Sequence, residues 1–239
     1  MNALTLALAA AGANVLGALV VVRHLRRELR FVEGLIAFGA GFMLAVVLIG
    51  VLPEVFHGGA LLPGAFVFAG YFGVHLSQHV FTQHFHYGVE THRVEARAGT
   101  TALVGLSMHS LFDGVAIAAG MLVSPELGVL LFLAVFLHKL PEGVTIASLQ
   151  MAAGQGARRA VGAAVVLGLA TVLGALLTER LSPLAEHGLA LAAGVTLYVA
   201  ASDLVPEFQA KRGWGTAAPF FGGAAAFFVT HALLGRWFG

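Results

Sequence analysis

The fold is decided by two stretches of sequence, Met108-His109-Ser110-Leu111-Phe112-Asp113-Gly114 and Leu137-His138-Lys139-Leu140-Pro141-Glu142-Gly143. Each places a histidine four residues before a carboxylate, inside a run that is otherwise almost entirely apolar. On an α-helix this spacing puts both side chains on one face, one turn apart. Two such helices that face each other would present two imidazoles and two carboxylates to one point.

The sequence around these stretches has the composition of a membrane protein. Hydrophobic residues make up 59% of the 239 residues and charged residues only 10%, whereas soluble domains are about a quarter charged. Apolar runs of about 20 residues recur, and each could cross a hydrocarbon core of about 30 Å. The sequence predicts an all-α, polytopic membrane protein, a single transmembrane domain over 1–239 with no soluble domain. Its eight predicted transmembrane helices cover 2–22, 34–56, 64–81, 100–122, 127–149, 157–180, 187–208 and 217–236.

The basic residues predict the orientation of the chain. Cytoplasmic loops of membrane proteins are enriched in Lys and Arg. Ten of the 13 basic residues fall in the loops after the first, third, fifth and seventh spans or, for Arg158 and Arg159, at the start of the span that follows such a loop. Only Arg180 and Arg236 fall on the opposite side, while Lys139 lies within a span. We therefore expect a multi-pass protein of the cell (cytoplasmic or inner) membrane with both termini outside.

Several functional classes are disfavoured by what the sequence lacks. Cysteine is absent, which excludes thiolate ligands and disulfides. No Walker-type glycine-rich loop precedes a helix, so ATP use is not expected. We expect no catalytic residues, no catalytic cofactor and no nucleic-acid partner. The expected partners are a divalent metal ion and the lipid bilayer.

Ionisable side chains in the middle of a span need a partner or a purpose, because each costs about 2.5 to 3.5 kcal/mol on insertion scales. His109 and Asp113 lie near the middle of the fourth span, and His138 and Glu142 at or just past the middle of the fifth. This ligand set suits Zn²⁺ and also accepts Fe²⁺, Mn²⁺, Co²⁺ or Cd²⁺. The alternative is that these groups form hydrogen bonds between helices and only hold the bundle together.

Small and rigid residues accompany these groups. Pro141 predicts a kink, because its ring cannot donate a hydrogen bond to the carbonyl of Leu137. Gly114 and Gly143 directly follow the two carboxylates. They leave room for an ion or for a neighbouring backbone.

The two stretches resemble the signature helices of the ZIP family of metal transporters, in which the fourth span carries His-x-x-x-Asp/Glu-Gly and the fifth His-x-x-Pro-Glu-Gly. Eight spans, outward termini and a basic third loop that contains histidines are similar too. The resemblance implies that His109, Asp113, His138 and Glu142 are the primary ligands of a transported ion, most typically zinc. It also implies alternating access into the cytoplasm, an elevator-like slide of spans one, four, five and six, and a homodimer.

Further site residues follow from the resemblance or depart from it. Met43 falls where some relatives contribute a thioether ligand. Binuclear members of the family have an amide and two acids at positions that hold Ser110, Lys139 and Thr171 here, so a second metal is not expected. The Lys139 ammonium is expected to replace that ion by pairing with Asp113 or Glu142.

The motifs Leu52-Pro53-Glu54 and Val205-Pro206-Glu207 fall at opposite faces in the predicted topology. Such motifs are typical of an inverted repeat, here helices 1–3 and 6–8 around the central pair 4 and 5. Glu54, with His57, could attract cations at the entrance, and Asp203 and Glu207 could pass them to the cytoplasm. The equally open alternative is that prolines end these helices and water solvates the carboxylates.

Two competing functions and one loop remain open. An intramembrane zinc-dependent hydrolase would also bury His and Asp, although the zincin motif is missing. A metal exporter could use the same ligands. The histidines at 75, 79, 84, 86 and 92 either collect metal weakly or belong to a solvated loop.

Overall fold

The computed structural model describes residues 2–23, 29–57, 61–78, 96–206 and 213–238, and these are helical almost throughout. No strand occurs in these ranges, so the all-α class is confirmed. The helices are α1 (Ala3–Arg23), α2 (Leu29–Ala45), α3 (Leu52–Val55), α4 (Leu61–Leu76), α5 (Ala96–Val123), α6 (Pro125–Ala152), α7 (Ala157–Arg180), α8 (Ser182–Tyr198) and α9 (Trp214–Phe238).

Within the described ranges, seven helical segments are long and apolar enough to cross a membrane. They are Ala3–Arg23, Val32–Val55, Gly99–Val123, Pro125–Ala152, Ala157–Arg180, Ser182–Leu204 and Trp214–Phe238. The predicted third span, 64–81, corresponds to α4, a shorter apolar helix, and residues 79–81 lie outside the described ranges. The multi-pass membrane class is confirmed, and the count of eight stays a prediction.

In the described part of the chain, two full segments of π-helix interrupt or extend the α-helices, and residues 77–78 are π-helical as well. Val46–Val51 joins α2 to α3, and Val199–Leu204 continues α8. Each segment ends two residues before a proline: Val51 before Pro53, and Leu204 before Pro206. Proline has no N–H to donate, so the carbonyl four residues earlier loses its usual partner, and the wider hydrogen-bond pattern of a π-helix occurs at such places.

The turn between α5 and α6 makes the two helices carrying the histidine motifs neighbours. Ser124 caps α6, because its side-chain oxygen accepts a hydrogen bond of 3.1 Å from the Leu127 N–H. Pro125 follows at the first helical position, where a missing N–H costs nothing. The short connection therefore returns the chain directly against α5, and α5 and α6 pack on each other.

The helices pack in two sets. The first set comprises α1, α5, α6 and α7, in which α1 packs on α6 and α7, and α5 on α6 and α7. The second set comprises the pairs α2 with α9 and α4 with α8. The main contacts between the sets are those of α5 with α8 and of α2 with α6. The histidine motifs lie wholly within the first set.

Four of the helix pairs cross at glycines. At each crossing, a Cβ built on the glycine of one helix would stand 1.9 to 2.1 Å from a backbone carbonyl oxygen of the other, and the relation is reciprocal. Because glycine has no side chain, the two helix backbones can approach each other closely at these crossings. The pairs are Gly17 with Gly143 (α1 and α6), Gly114 with Gly174 (α5 and α7), Gly41 with Gly223 (α2 and α9) and Gly70 with Gly194 (α4 and α8).

Candidate metal centre

The structure brings together the four side chains that the two histidine motifs single out. His109 and Asp113 of α5 and His138 and Glu142 of α6 each offer a ligand atom, and these atoms lie within 4.8 Å of one another. All four residues are at most 4% exposed. Because the histidine and the carboxylate of each motif share one face of their helix, the four donors form a compact cluster inside the first helix set.

Three of these donor atoms form a nearly regular triangle. The two imidazole Nε2 atoms of His109 and His138 are 3.3 Å apart. The Asp113 Oδ2 atom is 3.2 Å from the first and 3.4 Å from the second. Ligand atoms around tetrahedral zinc, each about 2.0 to 2.1 Å from the metal, are separated by roughly 3.3 Å. The triangle has the dimensions of one face of such a tetrahedron.

The hydrogen bond on the far side of His138 sets the role of its ring. Its Nδ1 lies 2.9 Å from the carbonyl oxygen of Ala134, and a carbonyl only accepts, so Nδ1 is the donor. In a neutral ring the Nε2 atom then carries a free lone pair toward the cluster. That lone pair faces an oxygen of Asp113, which is an acceptor too. Two acceptors cannot form a hydrogen bond with each other, whereas a cation between them stabilises both.

The Lys139 ammonium lies among the carboxylates and is fully buried. Its Nζ is 2.8 Å from Asp113 Oδ2 and also contacts Glu142 Oε2. It donates to Ser110 Oγ at 2.7 Å, and that hydroxyl donates to Glu142 Oε1 at 2.8 Å. Lys139 thus pairs with both acids, where the sequence predicted one or the other. It offsets one of the two negative charges of these carboxylates.

The space beside each of the two glycines that follow the carboxylates is occupied by the backbone of a neighbouring helix. A Cβ on Gly114 would stand 1.9 Å from the carbonyl oxygen of Thr171, and one on Gly143 would stand 1.9 Å from that of Asn14. Of the two predicted uses, room for a neighbouring backbone is the one observed. Pro141 lies buried inside the continuous helix α6.

Met43 lies in the apolar core around the cluster. It is completely buried on α2, in a hydrophobic cluster that includes Val115 of α5 and Ala134 of α6. The helices that carry the four donors therefore contribute to the same core. The thioether role stays a prediction.

Of the predicted pathway residues, Ser110 and Lys139 lie in this centre, and Glu54 and Asp203 are not among its four donors. Glu54 and His57 are exposed at the end of α3 and just beyond it. Asp203, in the second π-helical segment, is partly buried, and its Oδ2 accepts a hydrogen bond of 2.9 Å from Gln78 Nε2. Glu207 lies outside the described residues, as do His79 and the third-loop histidines at 84, 86 and 92.

Some polar groups were not singled out from the sequence. Asn14 of α1 is completely buried and touches Gly143; an asparagine within an apolar span was a visible signal. Gln78 has no such signal, because its partner Asp203 is distant in the chain. His231 is a further one, and its Nδ1 lies 2.8 Å from Glu126 Oε1.

Comparison with known proteins bears on more than half of the chain. A family model described as ZIP zinc transporter matches residues 88–230. This range contains both histidine motifs and every residue of the four-donor cluster.

Two individual relatives are zinc transporters by name. The chain is 35% identical over 130 residues to zinc transporter ZIP9 of Micropogonias undulatus, covering 49% of this chain and 42% of the relative. It is 33% identical over 124 residues to zinc transporter ZIP9-B of Xenopus laevis, covering 47% of this chain and 41% of the relative. The match spans about two fifths of the length of each.

Proposed function

Since the chain belongs to the ZIP zinc transporter family, with a family match over 88–230, we propose that it carries divalent transition metal ions across a membrane into the cytoplasm. Zinc is the first candidate, and Fe²⁺, Mn²⁺, Co²⁺ and Cd²⁺ suit the same donors. The observation that carries the proposal is the buried triangle of His109 Nε2, His138 Nε2 and Asp113 Oδ2. The ion is the substrate of this centre.

Glu142 is proposed as the fourth ligand. Both of its oxygens are engaged in the ion-free arrangement, one by Ser110 and the other by Lys139. Binding therefore requires Glu142 to exchange a hydrogen bond for the metal. This competition weakens binding of the ion, which a carrier needs in order to release it.

Two features support transport over an intramembrane hydrolase. A catalytic zinc keeps an open position for water and substrate, whereas four protein donors lie within reach of one ion here. The relatives are also transporters by name. An exporter stays the second candidate, because an ion-binding centre works in either direction.

An inverted repeat of helices 1–3 and 6–8 is part of the proposal, and equally spaced features support it. Gly41 and Gly194 are 153 positions apart, and so are the π-helical segments Val46–Val51 and Val199–Leu204. Pro53 and Pro206 keep the same separation. The repeat also relates the glycine crossings to each other, because it pairs α1 with α7 and α6 with α5. The crossing of α1 and α6 therefore corresponds to the crossing of α7 and α5.

We infer alternating access from the packing of the two helix sets. The centre lies within the set α1, α5, α6 and α7, which are the spans that the family resemblance assigns to a sliding unit. Tight glycine crossings within this set favour its movement as one body against the other set. In an inverted repeat, the outer end of the ion path in one half corresponds to the inner end in the other half.

The remaining residues are proposed as parts of that path. Glu54, with His57, attracts cations on the outer side, while Asp203 and Glu207 pass them to the cytoplasm. Met43 is a candidate thioether contact. The proposed protein is a homodimer of a single transmembrane domain over 1–239, with eight spans and both termini outside the cell membrane.

Uptake of radioactive zinc by sealed vesicles that contain the purified chain tests the function. We expect accumulation by the wild type and its loss in His138→Ala, because that change removes a donor from the triangle. His187→Ala is the matched control, since His187 stacks on Phe66 at a ring distance of 4.5 Å and has its Nε2 3.9 Å from Glu186 Oε2, and neither partner is a donor of the four-donor cluster.

Other outcomes would redirect the assignment. Release from preloaded vesicles without uptake would favour the exporter. A folded wild type that binds zinc and moves it in neither direction would contradict transport and favour the hydrolase.

A further inference from the structure

The side chain of Asn14 on α1 is polar, buried and unpartnered. Its exposure is zero, and neither its Nδ2 nor its Oδ1 has a hydrogen-bond partner. Among the described side chains, it alone has all its polar atoms both buried and unpartnered. A buried carboxamide without partners destabilises a protein relative to an apolar side chain of the same shape. The chain nevertheless has asparagine in a run of apolar residues.

The position of Asn14 connects it with the metal centre. Its Oδ1 lies 3.0 Å from the place of a Cβ on Gly143, and its own carbonyl oxygen lies 1.9 Å from the same place. Gly143 directly follows Glu142. The amide therefore lies where α1 crosses the ligand-bearing turn of α6, and both helices belong to the same helix set.

The equivalent residue at the other crossing behaves differently. Thr171 of α7 presents its carbonyl to Gly114, as Asn14 does to Gly143. The Thr171 hydroxyl, however, donates to the Leu167 carbonyl of its own helix at 3.3 Å. Both crossings thus put a polar residue against the glycine that follows a carboxylate, and of the two only Asn14 has its side-chain polar atoms unpartnered.

We propose that the carboxamide oxygen of Asn14 contacts the transported ion, directly or through one bound water, as the ion occupies or leaves the four-donor centre. The inference rests on the proposed function. A carboxamide oxygen adds a donor without adding charge. Zn²⁺ is satisfied by four donors in a tetrahedron, whereas Mn²⁺ takes octahedral, oxygen-rich shells. Asn14 is thus a specificity-determining residue that favours ions of higher coordination number.

The test compares Zn²⁺ and Mn²⁺ binding to the purified full-length chain by competition titration, together with vesicle uptake of each metal. In Asn14→Leu we expect Mn²⁺ affinity to fall about tenfold, the size of effect that outer-shell partners commonly have, with Zn²⁺ affinity nearly unchanged. The melting temperature should stay the same or rise, because an unpartnered amide is removed. Thr178→Val is the control, since the buried Thr178 hydroxyl donates to the Gly174 carbonyl.

Asn14→Ala is the second variant, in case leucine does not fit between the helices. A Mn²⁺ to Zn²⁺ affinity ratio that stays at the wild-type value in both folded variants would overturn the proposal. Equal weakening of both metals would also overturn it. A wild type that binds both metals and moves neither would contradict the transport function instead, and the binding ratios would still decide the role of Asn14.

Discussion

At the scale of single residues, Lys139 places a positive charge inside the metal centre. Its ammonium contacts the carboxylates of Asp113 and Glu142 and the hydroxyl of Ser110 in a fully buried position. Removing one partner of a buried ion pair costs about 3 to 5 kcal/mol, because the other charge is left uncompensated. Lys139 therefore stabilises the centre without an ion, which a carrier needs for its return step.

Replacing this cation with an acid should create room for another ion. Lys139→Asp removes one positive charge and adds a carboxylate beside Asp113 and Glu142. We expect about one more divalent ion per chain, because three buried carboxylates need further positive charge. Elemental analysis of the purified protein measures it.

The control is Lys139→Met, which removes the ammonium and adds no carboxylate. It should not acquire the additional ion. Unchanged stoichiometry in a folded Lys139→Asp protein would refute the idea that the ammonium substitutes for a second metal.

Helical spacing explains which parts of the centre could be predicted from sequence. The separation of His109 from Asp113, and of His138 from Glu142, fixes a shared face within each helix, and that local geometry is independent of the rest of the fold. The double pairing of Lys139 depends on how α5 and α6 approach each other. A single sequence carries no direct record of that distance.

At the scale of the elements, the glycine crossings position the donors. Gly114 and Gly143 each follow a carboxylate, and each receives the carbonyl of a helix that carries no donor of the cluster. The crossings thereby fix the height and rotation of the ligand-bearing turns against α7 and α1. The sequence predicted space at these two glycines, but the choice between an ion and a backbone depended on the partner helix.

A methyl group at either glycine should separate these helices. Gly143→Ala and Gly114→Ala each place a Cβ 1.9 Å from a rigid carbonyl oxygen, and overpacking of this kind costs about 1 to 3 kcal/mol. We expect a lower melting temperature in detergent and a loss of zinc uptake. Thermal unfolding followed by circular dichroism measures the first effect, and vesicle uptake the second.

Two other glycines, in the partner helices of these crossings, provide the comparison. Gly12 of α1 and Gly162 of α7 have nothing within 4 Å of an added Cβ. Alanine is the better helix former by about 1 kcal/mol, so Gly12→Ala and Gly162→Ala should be as stable as the wild type or more so. Equal melting temperatures in all four variants would contradict the proposed role of the crossings.

The π-helical segments lie at helix ends that the sequence indicated only in part. The sequence indicated that helices end near Pro53 and Pro206, and the described helices do change character there. The π-helical geometry of the residues before each proline was not predicted. It depends on how the unpaired carbonyls are satisfied, which tertiary packing decides.

At the scale of the whole molecule, the two helix sets meet mainly where α5 packs on α8 and α2 on α6. Residues of α5 and α8 form one part of the boundary, where a Cβ on Gly188 would be 3.7 Å from the Ala119 Cβ. Within the first set, a Cβ on Gly168 of α7 would be 3.0 Å from the Ala11 Cβ of α1. Movement of one set against the other must change the first distance and leave the second nearly constant.

Disulfide cross-linking distinguishes these two cases. The chain has no cysteine, so an introduced pair supplies its only thiols, and a Cβ separation of about 3.5 to 4.5 Å suits a disulfide. We expect oxidation of the Ala119→Cys, Gly188→Cys protein to stop zinc uptake, and a reductant to restore it, because the bond would lock the two sets together. The Ala11→Cys, Gly168→Cys pair starts at a Cβ separation of 3.0 Å, below that range, so α1 and α7 must move slightly apart for the bond to form. Once mass spectrometry verifies this bond, uptake should stay intact. Full uptake by the oxidised first pair, with cross-linking verified by mass spectrometry, would contradict a sliding set, because the ion would then cross without relative movement at the α5–α8 boundary.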